Sequence, residues 1–320
     1  MNYEIIIELF GGEPIQSCNK NILNQILEFA RKNKYFVTFT TNGVEIDEFF
    51  DLFITYNGYI NSVYTTLDGT EQYHNSRRIF KKDSDSFNRI LRNIDFLLDL
   101  EINLVLSINF DKSNLEQLEA IIDLCDSKNW TSNKYFELQI GRVDDRLFET
   151  NYNDIISEGQ LLEYIYKIDK KIDMKSKARL AFLKSLFYVA NRFKISFNQT
   201  ESGRQLFHYC WSTSPLEVVK YIDSELNVFR CTYTVGREDL SIGTLQNHSD
   251  GYGYFNNYNL FNIPKCMECK LGGYCSGGCR LSSLVDEDRQ CKYELSNFDY
   301  FINKVIIPSL KEKFNSTILI

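Results

Sequence analysis

Long apolar runs, positive charge in excess and proline are all scarce in this 320-residue chain. Its apolar stretches, such as Ile5–Ile7 and Val305–Ile307, fall far short of the roughly 20 residues that a membrane-spanning helix requires. Met1-Asn2-Tyr3-Glu4 carries no basic region ahead of an apolar one. No signal-peptide pattern is present, so the sequence reads as cytoplasmic with no membrane partner. The 36 Lys and Arg against 43 Asp and Glu leave a formal net charge of −7. That balance gives no electrostatic case for nucleic acid. The four prolines accompany a composition rich in Asn, Lys, Ile and Tyr, which says nothing about chemistry. Internal repeats and low-complexity segments are also absent.

What is present is a large core and a periodic first half. Hydrophobic residues make up 43% of the chain and aromatics 14%, enough for one or two domains. Strand candidates at Glu4–Phe10, Phe36–Thr41, Ser62–Leu67, Asn103–Phe110 and Tyr135–Ile140 alternate with helix candidates. The latter are Lys20–Lys32, Glu45–Ile54, Ser86–Leu100 and Asn114–Lys128. Strict alternation predicts parallel strands with right-handed crossovers, hence an α/β fold, either barrel or doubly wound sheet. Two longer helices are predicted near Glu158–Asp173 and Lys175–Phe193, then a linker at Asn198–Gly203. From Gln205 the pattern turns to short strands, turns and cysteines, closing with a helix near Asn297–Phe314.

Four of the nine cysteines fall within Cys266-Met-Glu-Cys269-Lys-Leu-Gly-Gly-Tyr-Cys275-Ser-Gly-Gly-Cys279. Cys210, Cys231 and Cys291 flank this run. Clustered thiols in a chain that reads as cytoplasmic point to metal or redox chemistry rather than to a disulfide framework. Cys266 and Cys269 alone suit zinc as well as iron. The full spacing is Cys210-x20-Cys231, then Cys266-x2-Cys269-x5-Cys275-x3-Cys279-x11-Cys291. Seven thiols divide into four plus three. Structural zinc takes a closed set of four ligands, whereas a four-iron cluster tolerates one iron without a cysteine, so the count favours two clusters.

This spacing resembles the SPASM domain, the auxiliary-cluster module of radical SAM enzymes that modify peptides and proteins. Fifteen residues separate Cys210 from Leu226 and four separate Leu226 from Cys231, where the module has Cys, Gly, Cys. Leu226 stands in place of that Gly, so its turn has to form without the permissive residue. The resemblance implies that Cys266, Cys269, Cys275 and Cys291 hold one [4Fe-4S] cluster. Cys279 would join Cys210 and Cys231 on a second, whose remaining iron is either open to substrate or held by His208 or His248. Upstream, Gly11-Gly12-Glu13-Pro14 resembles the GGEP motif that receives the amino group of S-adenosylmethionine. Thr40-Thr41-Asn42-Gly43 is similar to the TNG segment. Thr66-Leu67-Asp68-Gly69 followed by His74-Asn75-Ser76-Arg77 resembles the SxDG and HDxxR stretch. By that match Thr66 would meet the cofactor's ribose or carboxylate, Arg77 its carboxylate, and Asn109 would be a further contact.

In the family a Cx3Cx2C loop ahead of GGEP holds the catalytic cluster; ten residues precede Gly11 here and none is cysteine. Cys18 and Cys125 are solitary. The expectation is an incomplete radical SAM partial barrel lacking its first strand and cluster loop, followed by a small SPASM domain. A fragment of a longer maturase is expected, with a separate complementing chain and a catalytically silent relative as alternatives. The expected layout is a core at 1–143, connecting helices and linker at 144–204, the SPASM domain at 205–295 and a terminal helix at 296–320. The implied function is a thioether or carbon–carbon crosslink in a ribosomally made peptide, using S-adenosylmethionine once the cluster segment is supplied. A peptide or small-protein substrate and a flavodoxin- or ferredoxin-type reductant are the implied partners. The alternatives are formylglycine formation, as in anaerobic sulfatase maturation, and a non-catalytic iron–sulfur or zinc-stapled binding module. Where the sulfatase-maturing relatives place an Asp directly after the cysteine matching Cys231, this chain has Thr232.

Overall fold

The computed structural model describes residues 4–80, 85–145, 147, 151–169, 178–180, 186, 211–213, 219–247, 255 and 258–318. Cys210, His208, His248 and the expected linker Asn198–Gly203 lie outside them. The chain divides into two compact units, Met1–Val143 with Lys167–Ala181, and Asp144–Tyr166 with Phe182–Ile320.

In the first unit six strands lie side by side in chain order: β1 (Ile6–Leu9), β2 (Phe36–Thr40), β3 (Ile60–Thr66), β4 (Leu104–Phe110), β5 (Phe136–Arg142) and β6 (Arg179–Leu180). All five pairings are parallel. An order that never reverses sends every right-handed crossover over the same face, which is the winding of a barrel rather than of a doubly wound sheet. Helices α1 (Lys20–Asn33), α2 (Phe50–Thr55), α3 (Glu71–Arg77), α4 (Ser86–Asp99) and α5 (Gln117–Ser127) fill those crossovers. The face they cover is apolar: Phe39, Val63, Leu106 and Ile140 are buried, and the Phe39 ring lies 5.6 Å from that of Phe53 on α2. The opposite face is polar. Thr38 pairs with Ser62 across 3.2 Å, Ser107 with Gln139 across 3.2 Å, and Arg179 with Glu137 across 3.1 Å.

The expected strands and helices form to within a few residues, and the exceptions have local causes. The helix expected from Asn114 starts at Gln117 instead. Asn114 accepts from the Asp111 N–H at 2.8 Å, and the Asp111 carboxylate accepts from the Ser113 and Asn114 amides. Short polar side chains that bond local backbone compete with a helix and delay it. The helix expected at Lys175–Phe193 is corrected at Arg179 and Leu180, which add β6 to the sheet. Two residues cannot display a strand periodicity, so their neighbours' helical pattern hides them.

In the second unit α6 (Glu158–Asp169) contributes Gly159, whose N–H donates to Asn297 Oδ1 at 2.6 Å. A Cβ at Gly159 would sit 3.0 Å from the Asn297 carbonyl, so glycine permits the close crossing. The terminal helix begins well before Asn297. Helix α9 runs Arg280–Phe301, where α7 (Pro264–Met267) and α8 (Gly272–Cys275) are the short helices before it, and bends at Asp286. The Asp286 carboxylate caps the second segment by accepting from the Arg289 N–H at 2.9 Å. A π-helical turn, Ile302–Ile306, then leads into α10 (Ile307–Ile318). Pro308 lies just inside α10; lacking an N–H and crowding the preceding turn, it is accommodated by that wider turn.

The hairpin β7 (Tyr221–Ile222) and β8 (Val228–Phe229) contains the position where glycine was expected. Leu226 takes a left-handed φ of 65° and is 42% exposed. Asp223 braces the turn, its Oδ1 accepting from the Glu225 and Asn227 amides at 2.9 and 2.8 Å. Left-handed strain of about 1–2 kcal/mol is relieved by glycine, less its greater freedom in the unfolded chain. Leu226→Gly is therefore expected to stabilise the hairpin by about 0.5 kcal/mol or more, read as slower amide exchange at Val228 and Phe229.

Candidate functional site

Two groups of site residues take shape, one in each unit. In the first, the loops that leave β1, β2, β3 and β4 share the C-terminal end of the parallel sheet, where ligands of such folds bind. Gly11 and Gly12 leave β1 with φ of 83° and 59°, and a Cβ on either would meet nothing within 4 Å. Their backbone therefore borders open space that a ligand can enter. Glu13 follows. Its carboxylate accepts from Thr41 Oγ1 at 2.5 Å, from the Asn42 N–H at 2.6 Å and from the Ile15 N–H at 3.0 Å. A carboxylate offers about four acceptor sites, so three bonds leave room for one ammonium donor. Pro14 completes the segment, its carbonyl accepting from Asn19 Nδ2 at 3.1 Å. Gly43 cannot be replaced cheaply: φ is 81° and a Cβ would sit 2.2 Å from Thr65 Oγ1.

Thr66 closes β3, half-buried, and Asn109 is exposed on β4 with its Oδ1 beside Gly141, whose Cβ would come within 2.7 Å. Arg77 is held by two carboxylates. Its guanidinium pairs with Asp111 at 2.7 Å and lies 3.7 Å from Asp68. Arg78 binds Asp68 more closely, with Nε at 2.7 Å. Asp68 and Asp111 are both buried, so each needs such a partner. Asp111 and Asn114 were not singled out as site residues. The strand-end sequence Asp111-Lys-Ser-Asn114, a turn signature, was the available signal.

His74 is fully buried. Its Nδ1 accepts from the Asp68 N–H at 3.3 Å, which places the proton on Nε2, and Nε2 has no partner. Burial, with Arg78 adding to it against Asp68, lowers its pKa to about 4.

In the second unit the thiols of Cys266, Cys275 and Cys291 are all held above the ordinary thiol value. Burial first, then the neighbouring thiols, raises the pKa of Cys266; burial, then Glu294 and the same thiols, raises that of Cys275. Burial also raises Cys291, with Glu287 and Cys269 adding to it against Lys265. Such thiols release protons only to a cation that compensates them. The backbone around them is tightly wound. A Cβ at Gly272 would sit 2.2 Å from the Cys266 carbonyl, and the Leu271 N–H donates to Cys269 Sγ at 3.4 Å. Amide-to-sulfur bonds of this kind stabilise a metal-bound thiolate. Among the described residues no group of three or more His, Cys, Asp or Glu converges to hold a single metal ion. Cys279 caps α9 and Cys231 precedes a 3-10 turn, both half-buried.

Among the described residues no helix is long and apolar enough to cross a membrane. No protein-family model and no curated protein matches the sequence. Solved structures do. The structure of anSMEcpe with bound AdoMet aligns at a TM-score of 0.69 and 18% identity, covering 97% of this chain and 85% of that one. The same protein with AdoMet and the Cp18Cys peptide aligns at 0.61 and 18%, covering 99% and 87%. Streptococcus suis SuiB bound to S-adenosylmethionine aligns at 0.57 and 15%, covering 88% and 63%.

Two expected outcomes test these geometries. Glu13→Ala removes one acceptor from three donors and should cost about 2 kcal/mol of stability in denaturant unfolding, while Glu13→Gln, which keeps an acceptor oxygen, should cost less. For His74 the sign follows from a folded pKa below the unfolded value near 6.5. The unfolded chain binds the proton first, so stability is whole above about pH 6.5 and falls between there and about pH 4, by about 3 kcal/mol. His74→Leu should remove that component of the pH profile. At the level of fold, the chain resembles the radical SAM/SPASM enzymes, of which anSMEcpe and SuiB are examples.

Proposed function

We propose that this chain is a radical SAM/SPASM maturase, or the cluster-bearing part of one, acting on a ribosomally made peptide to install a thioether or carbon–carbon crosslink. The observation that carries the reading is the seven-cysteine spacing, with the Leu271 N–H donating to Cys269 Sγ inside its central run. The shared fold and the glycine-lined strand ends support it.

The residues divide the work as follows. Gly11 and Gly12 expose backbone to the methionyl end of S-adenosylmethionine, and Glu13 offers its remaining acceptor site to the ammonium. Thr66 and Asn109 provide polar contacts from β3 and β4. Arg77 turns part of its guanidinium to the cofactor's carboxylate while Asp111 holds the rest in place. Cys266, Cys269, Cys275 and Cys291 hold one [4Fe-4S] cluster, and Cys279, Cys231 and Cys210 hold another. When bound, such clusters accept the electron released on substrate oxidation or anchor a substrate thiolate. Residues 1–320 contain no Cx3Cx2C, so homolysis of the sulfonium is assigned to no residue of this chain. A flavodoxin- or ferredoxin-type protein is the proposed reductant.

Formylglycine formation is the second reading, favoured by the alignment with anSMEcpe. Against it, Thr232 brings no carboxylate to the position after Cys231.

Anaerobic reconstitution followed by metal and sulfide analysis is the test. About eight irons and as many sulfides per chain are expected for two clusters. One or two zincs without sulfide would replace the proposal with a zinc-stapled binding protein.

A further inference from the structure

Helix α4 packs an apolar face that includes the buried Ile90, Ile94 and Leu97, and Asn93, 1% exposed, interrupts it. The Asn93 Nδ2 donates to the Gly43 carbonyl at 2.8 Å and to the Val44 carbonyl at 3.1 Å. Its Oδ1 is buried with no partner among the described residues. A buried acceptor left unpaired lowers stability, so packing alone does not account for an asparagine here. What its two bonds hold is the backbone beyond β2. The Gly43 N–H donates to Thr41 Oγ1 at 3.1 Å, and the Val44 N–H to Asn42 Oδ1 at 2.8 Å. Thr41 has a single hydroxyl hydrogen, which goes to Glu13 Oε1 at 2.5 Å while Gly43 occupies a lone pair. The Asn42 N–H goes to the other oxygen, Glu13 Oε2, at 2.6 Å.

Gly43 has a left-handed φ of 81°, a conformation that glycine enters and leaves freely, so this turn does not lock itself. Asn93, 50 positions away, supplies the outside hold. At Glu13 the bonds are unevenly shared. Oε1 accepts from Thr41 and from the Ile15 N–H, whereas Oε2 accepts from Asn42 alone. The acceptor site still open is therefore on Oε2, whose position the Asn42 amide sets. We infer that Asn93 is a positioning residue for the ammonium group of S-adenosylmethionine. By fixing Gly43 and Val44 it holds the Asn42 amide, and through that amide the Glu13 Oε2 that receives the ammonium. The inference rests on the cofactor pocket proposed above and adds to it a residue that acts only through others. The cysteine-bearing unit plays no part in it.

Equilibrium dialysis of the whole chain against labelled S-adenosylmethionine, and against its analogue lacking the α-amino group, tests the assignment. The parent should bind S-adenosylmethionine more tightly than the analogue. Asn93→Leu keeps the branched shape, suits a helix and removes both donated bonds. Its dissociation constant for S-adenosylmethionine should rise about tenfold, the loss expected when a charge-assisted hydrogen bond is misplaced. Its dissociation constant for the analogue should stay near the parent's, because that ligand brings no ammonium to Glu13. A purely structural role would weaken both ligands alike. Equal losses, or no loss, in Asn93→Leu overturn the inference and leave the pocket standing. A parent that shows no saturable binding of S-adenosylmethionine, or that binds both ligands equally, overturns the ammonium site and the inference with it. If Asn93→Leu fails to fold, Asn93→Gln decides, since it keeps the amide but carries it a methylene further from the helix. A loss confined to the amino-bearing ligand then supports the inference, and equal losses or none refute it.

Discussion

The carboxylate of Glu13 joins the ends of the first two strands, and the proposed cofactor pocket depends on that joint. It draws the Thr41 hydroxyl and the Asn42 amide, at the exit of β2, onto the loop leaving β1. The Gly11–Gly12 turn is left facing open space. Ser17 adds a second tie between the same loops, its N–H and hydroxyl both donating to Glu45 Oε2 at 2.8 Å. Glu13 is also the proposed acceptor for a ligand's ammonium, so one side chain both builds the pocket and reads its occupant. Beneath it, a sheet wound in one direction keeps helices α1 to α5 on one face and leaves the other lined by hydroxyls, amides and the Glu137–Arg179 pair.

The cysteine-bearing unit solves a different physical problem. Gathering thiols around buried positions raises their pKa values, and Glu294 adds negative charge beside Cys275. Deprotonating these thiols is costly until a compensating cationic group arrives, which couples occupancy of the site to deprotonation of its ligands. The scaffold accepts strain to hold the thiols, with left-handed backbone at Leu226, Ser276, Gly277 and Gly278. Glycine relieves that strain at two of the four positions, and Asp223 braces the turn at a third, Leu226.

Much of the sheet was legible because its strands are long enough to show their character. β3, β4 and β5 each span seven residues and match their expected positions closely. β6, with two residues, was invisible and lay inside an expected helix. The helix carrying Cys291 was also missed before Asn297. Its first half is rich in charge, Asp286-Glu-Asp-Arg289, and it bends there. The left-handed turn at Gly11 and Gly12 was legible from the glycine pair that ends the first strand. Arg77 could not be placed from sequence, because its main partner Asp111 lies 34 positions away and the pairing exists only once β3 and β4 are adjacent.

Amide hydrogen exchange with and without S-adenosylmethionine tests the strand-end pocket most directly. The account predicts slowed exchange in peptides spanning residues 11–15, 41–46 and 66–74, lost in Glu13→Ala, with the β7–β8 hairpin unaffected. Exchange at those three loops that stays the same on adding S-adenosylmethionine, or protection confined to other segments, would contradict it.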